Sequence, residues 1–243
     1  MTVSLAPRPT LLLTRPREGS ERFAVQFRAR FGADWPVLIA PLMEIEPQCV
    51  ALGAAEALLF TSRHAIAPVL TAGPPCRKAY CVGATTAEAA RLAGFEVAGE
   101  AADAAQLFAR LLDLKATGQL AGPLLHARGA ETAFPLAERL NSAGIETQEA
   151  VVYAQRPQPP SPQALALLAA EAPVLLAAFS PNSARLLAGL GHAAQAPLWL
   201  AAISDKAAAA CAGLPCAGLR IAPQPDGEGM LAAFAQLLGD CAG

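Results

Sequence analysis

The stretch Ala79-Tyr80-Cys81-Val82-Gly83-Ala84-Thr85-Thr86-Ala87 decides the fold. Four apolar residues run into a glycine. Two hydroxyl residues then open an alanine-rich segment. A short continuous apolar run suits a strand buried on both faces, and the alanines suit a helix crossing back over it. Working outward, the same grammar recurs. Thr10–Thr14, Ala57–Phe60, Pro123–His126, Val174–Phe179 and Leu198–Ile203 are short apolar runs, each followed by a small or polar turn. Helical stretches such as Ala104–Leu114 and Met230–Leu238 separate or follow them. The class is α/β, with parallel sheets and crossover helices.

The runs also repeat in order. Leu11-Leu12-Leu13-Thr14-Arg15 resembles Leu124-Leu125-His126-Ala127-Arg128, and Leu58-Leu59-Phe60-Thr61-Ser62 resembles Ala177-Ala178-Phe179-Ser180. The opening stretch resembles Leu200–Ala208 when Ala79 is set beside Leu200. Two other segments, Val37–Ile45 and Glu149–Pro157, are extended and bounded or broken by proline, so they read as connectors rather than central strands. If they pair, the chain passes between two lobes twice. One lobe would join residues 1–37 to 158–243, the other would hold 46–148, and 38–45 with 149–157 would connect them. The expected architecture is two doubly wound, Rossmann- or flavodoxin-like parallel-sheet lobes joined by a two-stranded connector ladder.

Composition narrows the chemistry. The chain is 54% apolar and 16% charged with a net charge of −2, so it can bury a large core and carries no basic face for nucleic acid. No apolar run is long enough to span a bilayer, and the N-terminus is not built like a secretory signal, which makes the cytoplasm the expected location. The six cysteines form no CxxC pair and His64, His126 and His192 are scattered, so no metal site is expected. Phosphate-loop, GxGxxG and GxSxG sequences do not occur. Ser62 and His64 lack a third group for a triad, and Glu44 with Glu46 reads as a solvated face of a connector.

Three strand-to-helix turns carry hydroxyls or amides: Thr61-Ser62-Arg63-His64, Gly83-Ala84-Thr85-Thr86 and Ser180-Pro181-Asn182-Ser183. Helix N-termini at such turns offer N–H groups to an anion, although the same residues also serve as simple caps. The residues alone lead to a two-lobed α/β protein binding a polyanion between its lobes. They do not by themselves name a reaction, and leave open a sensor for an anionic small molecule or a doubly wound enzyme acting on a sugar phosphate.

The ordered motifs resemble the uroporphyrinogen-III synthase family from Leu11 to about Leu238. The matching pieces are Leu13-Thr14-Arg15-Pro16, Pro41-Leu42, Phe60-Thr61-Ser62-Arg63-His64-Ala65-Ile66, Val82–Ala90 with Gly94-Phe95, Val152-Tyr153 and Phe179-Ser180-Pro181-Asn182-Ser183-Ala184. The resemblance implies a hydro-lyase without metal or organic cofactor. Its substrate is hydroxymethylbilane, a linear tetrapyrrole with eight carboxylates, which it closes with inversion of ring D through a spiro intermediate. It also implies a monomer that meets hydroxymethylbilane synthase transiently. Tyr153 is the expected catalytic residue, assisting departure of the hydroxyl. Thr61, Ser62, Thr86, Ser180, Asn182 and Ser183 are expected to hold carboxylates, with Arg15 and Arg128 as bidentate partners. At Ile203-Ser204-Asp205-Lys206-Ala207 the chain departs from the family's "IGxTT", and Lys206 could offer a cation there instead.

Overall fold

The structure is a computed structural model that describes residues 8–120, 122–132, 134–191 and 194–241, the side chain of Cys241 excepted. His192 therefore lies outside the described residues. Along the chain, β1 (Thr10–Leu13), α1 (Arg17–Phe31), β2 (Val37–Ile39) and β3 (Met43–Pro47) come first. Then follow β4 (Ala57–Phe60), a 3-10 turn at Arg63–Ala65, α2 (Ile66–Ala72), β5 (Lys78–Val82), α3 (Ala84–Leu92), β6 (Glu96–Ala101) and α4 (Ala104–Ala116). Next are β7 (Leu124–Gly129), α5 (Leu136–Ser142) and the long β8 (Thr147–Pro157). The last third holds α6 (Pro162–Ala169), β9 (Val174–Ala178), α7 (Pro181–Gly191), β10 (Leu198–Ala202), α8 (Asp205–Ala210), β11 (Cys216–Ile221) and α9 (Gly227–Cys241).

Contacts divide the chain into two units. The described residues of Met1–Glu44 and Pro157–Gly243 form one, and Ile45–Arg156 forms the other. The first unit has a five-stranded sheet ordered β11-β10-β9-β1-β2; the second sheet is ordered β3-β8-β7-β4-β5-β6. The pairings among β1, β2, β9, β10 and β11, and among β4 through β8, are parallel. Each sheet is therefore doubly wound, with helices over both faces.

The strands read as unbroken apolar runs because both faces are buried. In β1, Leu12 enters one core with Leu176, Leu198 and Leu200, while Leu11 and Leu13 enter the other with Phe23, Phe27 and Phe234. In β4, Leu58 and Phe60 face Ile66, Ala87 and Phe95, and Ala57 and Leu59 face Leu107, Leu111 and Leu140. The alternation is the ordinary period of a strand, with both sides apolar.

The connector segments are more than connectors. Val37–Ile45 splits at Pro41: β2 joins the first sheet beside β1, and β3 joins the second beside β8. Pro41 has no N–H to give a ladder, so the strand breaks there. Residues 147–153 pair in parallel with β7, so the first half of β8 is an interior strand. Its proline stands only at the end, leaving every earlier N–H available. Gln48 N–H donates to Val152 O, and Gln158 N–H donates to Leu42 O. Glu44 and Glu46 lie on the solvated side of β3, where Glu46 meets Arg156 at 2.6 Å and Glu44 meets Gln158 at 3.0 Å.

Read outward from β2 and β8, the sheets run β2-β1-β9-β10-β11 and β8-β7-β4-β5-β6. Strands β1 and β7, β9 and β4, and β10 and β5 thus hold matching places, and these are the pairs whose sequences resemble one another. The register of the last pair differs from the likeness read along the sequence. A bulge between Ala79 and Tyr80 sets Tyr80 opposite Gly99, and a bulge between Leu198 and Trp199 sets Trp199 opposite Gly218. In both cases the ring lies where a Cβ on the glycine would sit, 2.8 Å from Tyr80 Cδ1 and 2.5 Å from Trp199 Cε3. Tyr80 therefore matches Trp199, not Ala201. The sequence likeness is anchored on the turn before the helix, and β10 with its turn is two residues longer there.

Candidate functional site

In a doubly wound sheet the chain leaves a central pair of strands in opposite directions, and a crevice opens beyond their carboxyl ends. In the second unit that pair is β4 and β7. A cavity of about 230 Å³ lies there, lined by Thr61, Ser62, Val82, Ala104, Arg128, Gly129, Glu131, Thr132, Phe134 and Tyr153. Four expected site residues, Thr61, Ser62, Arg128 and Tyr153, are thus brought together within one unit.

Local structure explains each placement. Ser62 caps the 3-10 turn, its Oγ accepting from His64 N–H at 3.3 Å. Tyr153 is reached through a bulge: Arg128 pairs with Val151 but Gly129 pairs with Tyr153, so Val152 is the extra residue. The bulge puts Val152 and Tyr153 in the same core cluster, where strict alternation would have separated them. The Tyr153 ring is buried against Gly129, where a Cβ would stand 2.7 Å from Cζ, and meets the His64 ring edge-on at 5.9 Å between centroids. Only glycine at 129 admits the ring in this place.

Behind the cavity wall lies a polar chain that sequence reasoning missed. Thr61 Oγ1 is 3.1 Å from His126 Nε2. His126 is fully buried, and its Nδ1 lies 3.6 Å from Glu149 Oε1, too long for a hydrogen bond but close for a charge. Arg128 grips Glu149 with Nη2 donating at 2.9 Å and Nε 2.9 Å from the other oxygen, and Nη1 donates to Gly129 O at 2.8 Å. Burial pushes the His126 imidazole down to about 4, against the pull of Glu149 and with the help of Arg128. Burial works against the Glu149 charge, but the hydrogen bond and charge of Arg128 prevail and hold that carboxyl below its ordinary range. The signal was present in the sequence as a histidine inside an otherwise apolar strand. Its partner was not, because Glu149 comes from the neighbouring strand.

The remaining expected residues lie elsewhere. Thr86 is buried in the first turn of α3, and its neighbour Thr85 is exposed; Thr86 is not among the cavity-lining residues. In the first unit, Ser180 and Ser183 bond one another at the start of α7: Ser183 N–H donates to Ser180 Oγ at 3.1 Å, and Ser180 N–H to Ser183 Oγ at 3.0 Å. That is a reciprocal cap of the helix. Asn182 is half-buried beside it. Arg15 lies over the Phe179 ring with its guanidinium carbon 4.3 Å from the centroid. Lys206 is exposed in the first turn of α8, whose cap is Ser204 accepting from Ala207 N–H at 3.4 Å.

Among the described residues, no group of three or more His, Cys, Asp or Glu is arranged to hold a metal ion. Cys81 and Cys211 are buried, Cys76 and Cys216 half-buried and Cys49 exposed. No helix among the described residues is long and apolar enough to cross a membrane.

Known proteins resemble this chain in sequence and in fold. The model of the family described as uroporphyrinogen-III synthase HemD matches residues 22–232, most of the chain. This chain belongs to the uroporphyrinogen-III synthase family. That membership favours a synthase over a sensor or a sugar-phosphate enzyme. No curated protein matches the chain. Among solved structures, uroporphyrinogen-III synthetase from Helicobacter pylori superposes with a TM-score of 0.64 at 18% identity, over 95% of this chain and 99% of that one. A mutant uroporphyrinogen III synthase from the extremely thermophilic bacterium Thermus thermophilus gives 0.51 at 13% identity, over 96% and 99%. At these identities the likeness speaks for the fold. Membership of the synthase family implies that the chain is an enzyme.

Proposed function

We propose that the chain is a hydro-lyase that cyclises hydroxymethylbilane to uroporphyrinogen III. The observation that carries the reading is the cavity at the β4–β7 switch point, where a buried phenol, two hydroxyls and a guanidinium meet. Its volume, about 230 Å³, falls below the ~300–1,000 Å³ of sites that enclose a whole drug-sized ligand. It suits one end of the tetrapyrrole, the terminal hydroxymethylpyrrole.

Tyr153 donates a hydrogen bond or proton to the departing hydroxyl, which leaves as water. The pyrroles themselves stabilise the azafulvene cation that results, so no cofactor is invoked. The substituted α-carbon of ring D attacks, and the spiro intermediate fragments and recloses with ring D reversed. In water the free α-position closes first and gives the type I isomer, so the protein's work is orientation. At this cavity a carboxylate of the chain is held by backbone N–H groups and the Ser62 hydroxyl, while Arg128 supplies positive charge. The protein is read as a cytoplasmic monomer that takes its substrate from hydroxymethylbilane synthase.

The test is a coupled assay. Porphobilinogen and its deaminase are supplied, the protein is added, and the porphyrins are oxidised and separated. An excess of type III isomer over type I is expected; type I alone would remove the reading.

A further inference from the structure

The proposed reaction uses Thr61 only as one hydroxyl among several, yet its surroundings single it out. The hydroxyl has one hydrogen to give and two lone pairs to offer. Which of these faces the cavity depends on His126, whose Nε2 is 3.1 Å away. A buried imidazole that stays neutral carries one proton, on one nitrogen or the other. With a lone pair on Nδ1, that lone pair would confront the Glu149 carboxylate at 3.6 Å; with N–H there, the contact is attractive. The Arg128 fork keeps Glu149 ionised and in place. The proton therefore sits on Nδ1, Nε2 accepts, and the Thr61 hydrogen is turned inward to meet it.

Resting on that reading of the function, we infer that His126 is a positioning residue that makes Thr61 a hydrogen-bond acceptor in the cavity, set to receive a pyrrole N–H of the substrate. This departs from the expectation that Thr61 donates to a carboxylate, since its single hydrogen is already engaged. An acceptor also suits the chemistry. When the hydroxyl leaves, positive charge spreads onto the pyrrole nitrogen, and an N–H···O bond there strengthens in the transition state. A carboxylate would gain nothing at that moment. The arrangement belongs to one unit alone. In register, His126 faces Glu149 across β7 and β8, while the matching places in β1 and β2 hold Leu13 facing Ile39.

The experiment compares His126→Leu, Thr61→Val and the double variant in the coupled assay, with circular dichroism to check folding. Leucine is what the other unit carries at this place. Each single change is expected to lower kcat about tenfold, the scale of one lost hydrogen bond to a charged group, with KM within about twofold. The double variant should be no slower than the slower single one, because both break the same link. His126→Gln, whose amide oxygen can still take the Thr61 hydrogen, should stay within about threefold of the parent. Multiplying losses in the double variant, or a raised KM at constant kcat, would overturn the inference. If His126→Leu does not fold, the inference stands or falls on Thr61→Val and His126→Gln: a KM effect in the first, or a tenfold kcat loss in the second, overturns it. A parent protein that forms no type III excess would sink the function itself, a result separate from any variant.

Discussion

The two switch points of this molecule are built on the same strand order and lined by different residues. In the second unit the crevice beyond β4 and β7 is a cavity, backed by buried polar groups. In the first unit the corresponding place, beyond β9 and β1, holds Arg15 lying on Phe179, and a Cβ on Gly19 of α1 would stand 2.7 Å from Arg15 Nε. The two arginines occupy matching positions but differ in their partners. Arg128 is drawn sideways onto Glu149 from the neighbouring strand, whereas the matching strand position in the first unit holds Ile39. One residue in a neighbouring strand thus gives the second switch point a buried charge that the register of the first does not repeat.

The largest expected effect tests the cavity directly. Tyr153→Phe should lower turnover by about 10²-fold or more, the scale of lost general-acid assistance, while the melting temperature moves little. Unchanged turnover in a folded variant would remove Tyr153 from the mechanism and dissolve the contrast between the units.

The next effect is on stability and follows from His126. Its folded pKa, about 4, lies below the unfolded value near 6.5, so between those limits the unfolded chain binds the proton and the folded chain does not. Stability contributed by neutral His126 is present above pH 6.5 and is lost as pH falls toward 4. At about 1.4 kcal/mol per pH unit the loss reaches a few kcal/mol. Denaturant unfolding from pH 7 to 4 should show this decline, and His126→Leu should flatten it. An equally steep decline in that variant would assign the slope to other groups, Glu149 among them.

Smaller effects probe the likeness of the units. Gly99→Ala and Gly218→Ala each place a methyl against the cross-strand ring, Tyr80 or Trp199, and should each cost about 1–3 kcal/mol of unfolding free energy. A loss in one and not the other would show that the matched bulges differ in function. Smallest is Ser180→Ala, which removes half of the reciprocal cap on α7 and should cost about 1 kcal/mol by thermal melting. If it instead cuts turnover as deeply as Thr61→Val, the first unit has a direct part in the reaction.

Much of the fold was legible before the structure. Runs such as Leu58-Leu59-Phe60 are apolar on every residue, short and followed by a polar turn, which suits a strand buried on both faces. The strand-end hydroxyls were legible for the same reason, since a helix must start where the run stops. Thr86 shows the limit: it shares a turn with Thr85, and helical phase, which the motif does not reveal, turned it into the core. Tyr153 was picked out by family resemblance, but its orientation depends on a bulge that no local pattern announces. His126 was visible as an oddity in an apolar run without a purpose that could be assigned.

The sequence by itself determined the alternation of strand and helix, the internal repeat and the residues at the strand ends, because these follow from local period and composition. Only the tertiary structure decided which strands became neighbours, and hence that Glu149 would face His126 while Ile39 faces Leu13. Pairing between strands far apart in the chain is set by the packing of whole sheets. The charge at the site is a product of such pairing, so it could not be read along the chain.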